Sequence, residues 1–578
     1  MKKFSASAIL ESRYPLALVA GLLLAAAFPK INLAGFAWIA PGLMLATALG
    51  TRGKKTFALG YVGGLTHYLI SLSWLLRIPL AGFPILCWLA LSAFLALFFG
   101  TWVWLCLKML PVRSPLPDPA DLRASLRGLE EMNWRQRSAW ALACAAAWVA
   151  MEMIIARIFG GFPWNLLGAS QVQIVPLIQI ASITGIYGIS FLVAWGSTSL
   201  LCATVALLAR PGARSIWMSE IMPPMVGILA AFIFAFHQFS QSRAPTRAMR
   251  ITLVQPSIPQ TLIWDAKNDE ARFRQLLQLS EQALTNETDL LIWPEAAVPR
   301  PLRYDEETFQ AITGLAARHH VWLIVGSDDA EPRAGASDPK AMDYYNASFL
   351  ISPRGELVAR YKKRSLVMFG EYIPLTRWLP FIKVLTPWMP GSFTPGDRPV
   401  PFALTLQDPA PPGSAIAVQP GSDPDALDTA KTSVLICFED VFPHSAREYA
   451  ADDIDFLVNI TNDGWFGEGA AQQQHADGAA FRAVENGLPL VRCANTGLTC
   501  WIDSRGRFRR IFTGAQGTIY GPGFLTVTVP LLPAGERRVP TFYHEHGDWF
   551  GWSCAGLTGL LLVPRRFLKS PAENPLCK

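Results

Sequence analysis

Three stretches of the chain end in a reactive group after an apolar or β-rich run. Leu290-Leu291-Ile292-Trp293-Pro294-Glu295 ends in a carboxylate, Tyr361-Lys362-Lys363 in an amine, and Val434-Leu435-Ile436-Cys437-Phe438-Glu439 brings a thiol followed by a second carboxylate. An α/β domain presents its chemistry at the carboxyl ends of its strands, and all three endings fit that placement. A free thiol with a pKa of about 8.5 is mostly protonated at neutral pH, so as a nucleophile it needs a base to take its proton or a cation to stabilise the thiolate. A glutamate and a lysine can supply both. Singly, each group has an ordinary explanation: a Glu after a strand is usually solvated, a Lys pair usually marks a hairpin end, and a strand Cys is usually buried and inert. Their occurrence together, in this order, points to covalent catalysis.

The remaining cysteines narrow the choice of nucleophile. Of nine, none forms a CxxC pair or a Cys/His cluster with metal-ligand spacing, so neither a zinc nor an iron–sulfur site is expected and no cofactor is called for. Cys87, Cys106, Cys144, Cys202 and Cys554 lie in hydrophobic runs as unreactive filler, and Cys577 sits beside the chain end. Cys437, Cys493 and Cys500 remain for chemistry. A formal charge of +6, with no Lys/Arg run interleaved with aromatics, argues against nucleic acid as a partner.

The elements that must hold these groups read as an α/β domain from Met249 onward. Strands are expected at Arg250–Gln255, Asp289–Trp293, Val321–Gly326, Ala347–Ser352, Glu356–Tyr361, Ser433–Phe438 and Asp455–Ile460, with a final hairpin over 489–512. Helices fit Asn268–Leu284, Glu307–Arg318 and His475–Asn486, and Arg354-Gly355 and Arg505-Gly506 read as hairpin turns. The Pro-, Gly- and Ser-rich run 407–430 reads as an unpacked surface insertion. The run 372–390 carries many large apolar residues, among them Trp378, Phe381 and Trp388. Core packing is one explanation, and an arm lying on a membrane surface is the favoured one.

A mean hydropathy of +0.27 is too high for an ordinary soluble enzyme. A membrane span needs about 20 apolar residues, and the candidates fall near 14–29, 33–50, 56–76, 85–110, 138–158, 180–208, 222–239 and 549–563. The first runs through Phe28-Pro29 into the second with no cleavage site, as an uncleaved anchor does. Cationic residues fall on alternate connections, with Lys2, Lys54, Arg127 and Arg210 on one side together with Arg565 near the chain end. Lys/Arg-rich loops stay in the cytoplasm, which places 249–530 on the outer face. The expected organisation is a membrane domain over 1–243, an extracytoplasmic catalytic domain over 244–535, and a last span with a cytoplasmic tail over 536–578. The outward connection Phe162-Pro163-Trp164-Asn165-Leu166-Leu167-Gly168 carries an aromatic pair suited to the lipid interface or to simple anchoring.

The Glu, Lys and Cys arrangement resembles the nitrilase superfamily, whose members carry that triad on a four-layer αββα sandwich. The flanking spans, with Tyr361-x-Lys363-x-x-Leu366-Val367-x-Phe369-Gly370-Glu371 and Asn462-Asp463-Gly464-Trp465-Phe466-Gly467, narrow the resemblance to the apolipoprotein N-acyltransferase family over nearly the whole chain. That resemblance implies a polytopic α-helical membrane domain joined to a nitrilase-like α/β domain. It implies Glu295 as general base, Lys363 as the cation beside the oxyanion, and Cys437 as nucleophile. Glu371 would orient Lys363, the backbone N–H of Phe438 would help stabilise the oxyanion, and Glu439 would support the nucleophile's strand end. Trp264 and Trp465, with Trp378, Phe381 and Trp388 of the arm, would line the acyl or lipid pocket. The sequence departs from the family pattern at Ser365, where His is frequent, at Met368, where Pro is, and at Phe438, where Tyr is.

By the same resemblance Cys437 would take a fatty acyl chain from a membrane phospholipid as a thioester. It would pass that chain to the α-amino group of a diacylglyceryl-modified cysteine on an apolipoprotein. The setting would be the inner membrane of a bacterium, with the catalytic domain on the periplasmic side. Two other readings differ in what they leave unexplained. A membrane-tethered amidase that hydrolyses a C–N bond would keep the triad but leave the many spans without a task. A non-catalytic lipid- or lipoprotein-binding protein would have no need of an intact Glu295, Lys363 and Cys437.

Overall fold

The structure, a computed structural model, describes residues 13–80, 82–111, 122–209, 218–240, 247–263, 265–335, 338, 340–374, 392–406, 428–533 and 535–563, with backbone only at 122–125. Two compact units are present, one made of Met1–Ser73, Ile85–Phe236 and Asp548–Lys578, the other of Trp74–Pro84 and His237–Gly547. The assignment of Trp74–Pro84 to the second unit has no signature in the sequence. The expected pocket residues Trp264, Trp378, Phe381 and Trp388, and most of the runs 372–390 and 407–430, lie outside the described residues.

In the first unit each of the eight apolar stretches is largely helical. Four helices among the described residues are long and apolar enough to cross a membrane: Phe83–Lys108, Trp134–Ile155, Ile186–Ala209 and Met218–Ser240. Shorter apolar helices occupy Tyr14–Ala26, Ala34–Ala48, Val175–Thr184 and Trp549–Leu562. The expected long span over 180–208 is therefore divided, with Gly185 at φ +65° closing one short helix before Ile186 starts the next. Helix Tyr14–Ala26 meets helix Lys54–Ser71 backbone to backbone, since a Cβ on Gly21 would stand 2.3 Å from the Gly63 carbonyl oxygen. Small residues permit such close approach where lipid provides no hydrophobic drive between helices. The connection 162–168 packs inward: Trp164 is buried, and the Glu152 carboxylate accepts hydrogen bonds from Trp148 Nε1 at 2.8 Å and the Leu167 N–H at 2.7 Å.

The second unit holds two six-stranded sheets. The strands are β1 (Arg247–Gln255), β2 (Leu290–Ile292), β3 (Trp322–Pro332), β4 (Met342–Ile351), β5 (Leu357–Lys362), β6 (Pro401–Thr405), β7 (Thr429–Ile436), β8 (Phe456–Thr461), β9 (Leu490–Ala494), β10 (Cys500–Ile502), β11 (Phe508–Ile511) and β12 (Gly523–Leu531). Their orders are β12-β1-β2-β3-β4-β5 and β11-β10-β9-β8-β7-β6. The Cys493 thiol on β9 donates to the carbonyls of Val254 on β1 and Ile292 on β2 at 3.3 Å, so the sheets lie face to face. In the first sheet Leu291, Leu323, Val325, Ala347 and Phe349 form a core with Leu276 of helix Asp269–Ala283 and Leu315 of helix Glu306–His319. Side chains alternate along a strand, so Ile324, Asp328, Asn346 and Ser348 are turned toward the other sheet. Helix Ala471–Asn486 accompanies the second sheet. This is the expected αββα order. Strand β7 stops two residues short of the expected end at Phe438, at Ile436, and β6 and β12 are strands the sequence reading did not separate out.

Candidate active site

Glu295 is delivered by the turn that follows β2. The Trp293 N–H bonds the Ile324 carbonyl at 2.9 Å, and the chain then crosses Gly326, where a Cβ would stand 2.2 Å from the Pro294 carbonyl oxygen and 2.8 Å from the Glu295 Cα. Only glycine fits beneath that crossing. The Glu295 carboxylate is buried, accepting from Asn346 Nδ2 at 2.8 Å and Lys363 Nζ at 3.1 Å on one oxygen and from the Asn462 N–H at 2.9 Å on the other.

Strand alternation separates the two lysines at the end of β5. Lys362 points away from the site, pairing with Glu331 at 2.5 Å and lying 3.8 Å over the Tyr345 ring. Lys363 is turned inward, its N–H bonded to the Asn346 carbonyl and its own carbonyl accepting from Gly396, each at 2.8 Å. Its ammonium bridges Glu295 at 3.1 Å and Glu371 at 2.8 Å. Burial alone depresses a lysine, but Glu295, Glu371 and the Cys437 sulfur together hold Lys363 well above the ordinary value, so it stays charged.

Cys437 opens a one-turn helix, Cys437–Val441, directly after β7, and its φ of +51° is a conformation that residues with a side chain rarely adopt. The geometry is held from below by Glu439. That carboxylate accepts from the N–H groups of Ile436 at 2.8 Å, Arg364 at 2.7 Å and Ser365 at 3.1 Å, and from the Tyr361 hydroxyl at 2.8 Å. Glu439 thus ties the cysteine strand to the lysine strand. Asn459 Nδ2 donates to the Cys437 carbonyl at 3.0 Å. The thiol, half-buried, is pushed up by desolvation and by Glu295, with Lys363 opposing, so the resting group is neutral. A neutral thiol beside a carboxylate and a permanently charged ammonium can give its proton to the first while the second offsets the charge that develops.

Beneath the turn lies a fully buried charge cluster that sequence reading missed. Arg492 bonds Asp440 at 2.7 Å and Asp463 at 2.8 Å, while His475 bonds Asp463 at 2.9 Å and lies at ion-pair distance, 2.8 Å, from Asp440. Desolvation and Arg492 oppose a charged His475, yet the two aspartates raise it to about 9. Arg492 and His475 likewise overcome burial to hold Asp463 down at about 2. An arginine inside the apolar strand Leu490-Val491-Arg492-Cys493-Ala494 was the available signal, since such a charge stays buried only when paired.

The structure thus brings Glu295, Lys363, Cys437, Glu371 and Glu439 together. Trp465, half-buried, sits in the turn after β8, and the Phe438 ring packs on Phe442 at 4.9 Å. Ser365 acts through its backbone N–H, so the absence of an imidazole there leaves the Glu439 contact intact. Cys493 and Cys500 are buried on β9 and β10, burial pushing Cys500 up to about 12. Among the described residues no group of His, Cys, Asp and Glu is arranged to hold a metal.

Two facing sheets with a glutamate, a lysine and a cysteine at their strand ends define a nitrilase-type enzyme domain, and a family model described as Carbon-nitrogen hydrolase matches residues 250–521. A second, described as Apolipoprotein N-acyltransferase N-terminal domain, matches 20–199. An apolipoprotein N-acyltransferase of Geobacter metallireducens is 33% identical over 95% of this chain and 94% of its own. One from Chlorobaculum tepidum is 27% identical over 96% and 97%. An amidase from Nesterenkonia sp. AN1 is a structural neighbour at 18% identity, covering 50% of this chain and 94% of its own with a TM-score of 0.34. The chain belongs to the apolipoprotein N-acyltransferase family, and it is an acyltransferase.

Proposed function

We propose that the protein acylates the α-amino group of diacylglyceryl-cysteine on apolipoproteins, taking the acyl chain from a membrane phospholipid through a thioester on Cys437. Glu295 accepts the thiol proton as sulfur attacks the ester carbonyl, and passes it to the departing lysophospholipid oxygen. Lys363, with the Phe438 backbone N–H, offsets charge on the carbonyl oxygen, a role in which one donor is typically worth about 3–4 kcal/mol. The acceptor amine then attacks the thioester, forming the amide and releasing the thiol. The observation that carries this reading is the Lys363 ammonium shared by Glu295 and Glu371 while a neutral Cys437 thiol lies within its field. Relatives that match nearly end to end carry the name of this activity.

The same proposal sets the reaction at the periplasmic face of a bacterial inner membrane, with 1–243 and the last helix in the bilayer and 244–535 outside it. Apolar helices and the alternation of cationic connections support it. Trp465 with Trp264, and the arm carrying Trp378, Phe381 and Trp388, border the lipid path. Incubation with phospholipid followed by intact-protein mass spectrometry tests the core claim. Wild type and the Cys493→Ala and Cys500→Ala variants should gain one acyl mass that hydroxylamine removes, and Cys437→Ala should gain none. Acylation of the Cys437→Ala protein would refute the assignment.

A further inference from the structure

We infer that Asp328 forms the acceptor-amine subsite, holding the incoming α-ammonium beside the thioester and taking the first of its protons. This rests on the acyl-transfer reading above and concerns only its second half.

Asp328 lies opposite Asn346 across the β3–β4 ladder, and Lys363 continues the same row from β5. Residues paired across a ladder share a face, which puts the Asp328 carboxylate on the side where Asn346 reaches Glu295 and Glu371. Its neighbour Asp329 is turned the other way and fully paired, to Arg303 at 2.9 Å and Arg360 at 2.6 Å. Asp328 is half-buried, and its carboxylate has no hydrogen-bond or ion-pair partner among the described residues. A second observation points to a donor missing from this place. Asn346 is 6% exposed, both of its amide bonds go to Glu295 and Glu371, and its Oδ1 is buried and accepts nothing among the described residues. Two acceptors on one face, carried by residues paired across the ladder, a free carboxylate and an orphaned amide oxygen, match an alkylammonium, which is donor-only. Burial, then Glu295, Glu371 and Asp329, with Lys363 opposing, raise Asp328 to about 7, so near neutrality it both binds a cation and accepts a proton.

The chemistry balances. A primary ammonium carries three protons and the product amide one. The first proton passes to Asp328 and on to water. The freed amine attacks the carbonyl carbon, the N–C bond forms as the S–C bond breaks, and the second proton reaches the Cys437 sulfur by way of Glu295.

The test compares two acceptors on pre-formed acyl-enzyme of the full-length protein in detergent micelles: a diacylglyceryl-cysteine peptide, cationic at neutral pH, and hydroxylamine, which is mostly uncharged there. Rates are taken per acylated molecule, so partial misfolding of a variant does not enter. In Asp328→Asn the ratio of peptide to hydroxylamine rate should fall about ten- to a hundredfold, the range a hydrogen bond to a charged group supplies, and Asp328→Glu should recover part of it. An unchanged ratio would overturn the inference. Failure of the underlying acyl-transfer reading shows separately, as wild-type protein that never acylates on Cys437.

Discussion

Glu371 Oε1 lies 2.8 Å from Lys363 Nζ, closer than the 3.1 Å of Glu295, although Glu295 is the carboxylate that the first strand-end run delivers. The second oxygen of Glu371 accepts the Val367 N–H at 2.8 Å, so the turn after β5 folds back to fix the ammonium that begins it. Lys363 therefore has a structural anion and a chemical one, and Glu295 can take a proton without leaving the buried ammonium unpaired.

Replacing Glu371 with Gln leaves one oxygen to accept from Lys363, sets an amide NH2 against the Val367 N–H, and removes one of the two carboxylate charges that hold Lys363 charged. The expected result is a fall of about tenfold or more in the rate of Cys437 acylation. The alkaline limb of its pH profile should also move to lower pH, because Lys363 loses an interaction that raises it. Rapid-quench measurement of acyl-enzyme between neutral and alkaline pH checks both. An alkaline limb that stays in place in Glu371→Gln would mean that Glu371 does not tune the ammonium.

Gly326 carries a sharper steric prediction. A methyl group there would press on the Pro294 carbonyl and the Glu295 Cα, both backbone, so the turn must shift rather than a side chain rotate. Gly326→Ala should lower acylation by about a hundredfold, the low end of what a positioned base contributes. Cys437 should still react with a small alkylating agent, because β7 and the Glu439 anchor do not involve Gly326. A variant with wild-type acylation would show that Glu295 tolerates displacement, contrary to its role as base.

The parts of this site that were legible in the sequence are those where an apolar run stops at a reactive side chain. Glu295, Lys363 and Cys437 each do so, and strand alternation alone separates Lys363, which shares a face with Tyr361, from Lys362. Asn346 gave no such signal, because an amide inside a strand reads as a local interruption until its partners are known. The φ of Cys437 was equally hidden. Nothing in Ile436-Cys437-Phe438 marks a turn, which is why the expected strand ran on to Phe438. Strand β12 was within reach, since Phe524, Thr526 and Thr528 alternate with Leu525, Val527 and Val529. Its pairing with β1 spans almost the entire domain, and no local pattern reports a contact of that range.

The buried cluster under Cys437 has a pH signature. His475 titrates at about 9 in the folded protein, above the ordinary histidine value, so its contribution is fully present below about pH 6.5 and is lost as pH rises through 9. Thermal unfolding in detergent should show stability declining from pH 7 to beyond 9. His475→Gln should be less stable at pH 7 and should flatten that decline. Asp328 and Asp477, raised to about 7, add their slope at lower pH, and the buried thiols Cys437, Cys493 and Cys500, raised by desolvation, add theirs above about pH 8.5, which leaves the interval between to His475. An unchanged slope in His475→Gln would mean that the imidazole is neutral in the folded state.

Orientation in the membrane is open to a direct test because the charge pattern commits to one answer. Arg113, Arg123, Arg127, Arg135 and Arg137 share a single connection between apolar stretches, and such a concentration of cations resists translocation. Lys2, Lys3, Arg52, Lys54, Lys55, Arg210 and Arg214 fall on connections of the same parity. The segment after helix Met218–Ser240 has the opposite parity. Alkaline phosphatase, which folds only outside the cytoplasm, should be active when fused after Gln238 and inactive when fused at Arg127. A green fluorescent reporter that folds only inside should give the reverse. Each fusion point thus carries a positive signal in one assay, so poor expression cannot imitate a result. Phosphatase activity at Arg127 with fluorescence after Gln238 would place the Cys437 site in the cytoplasm, away from exported lipoproteins, and the periplasmic reading would fall with it.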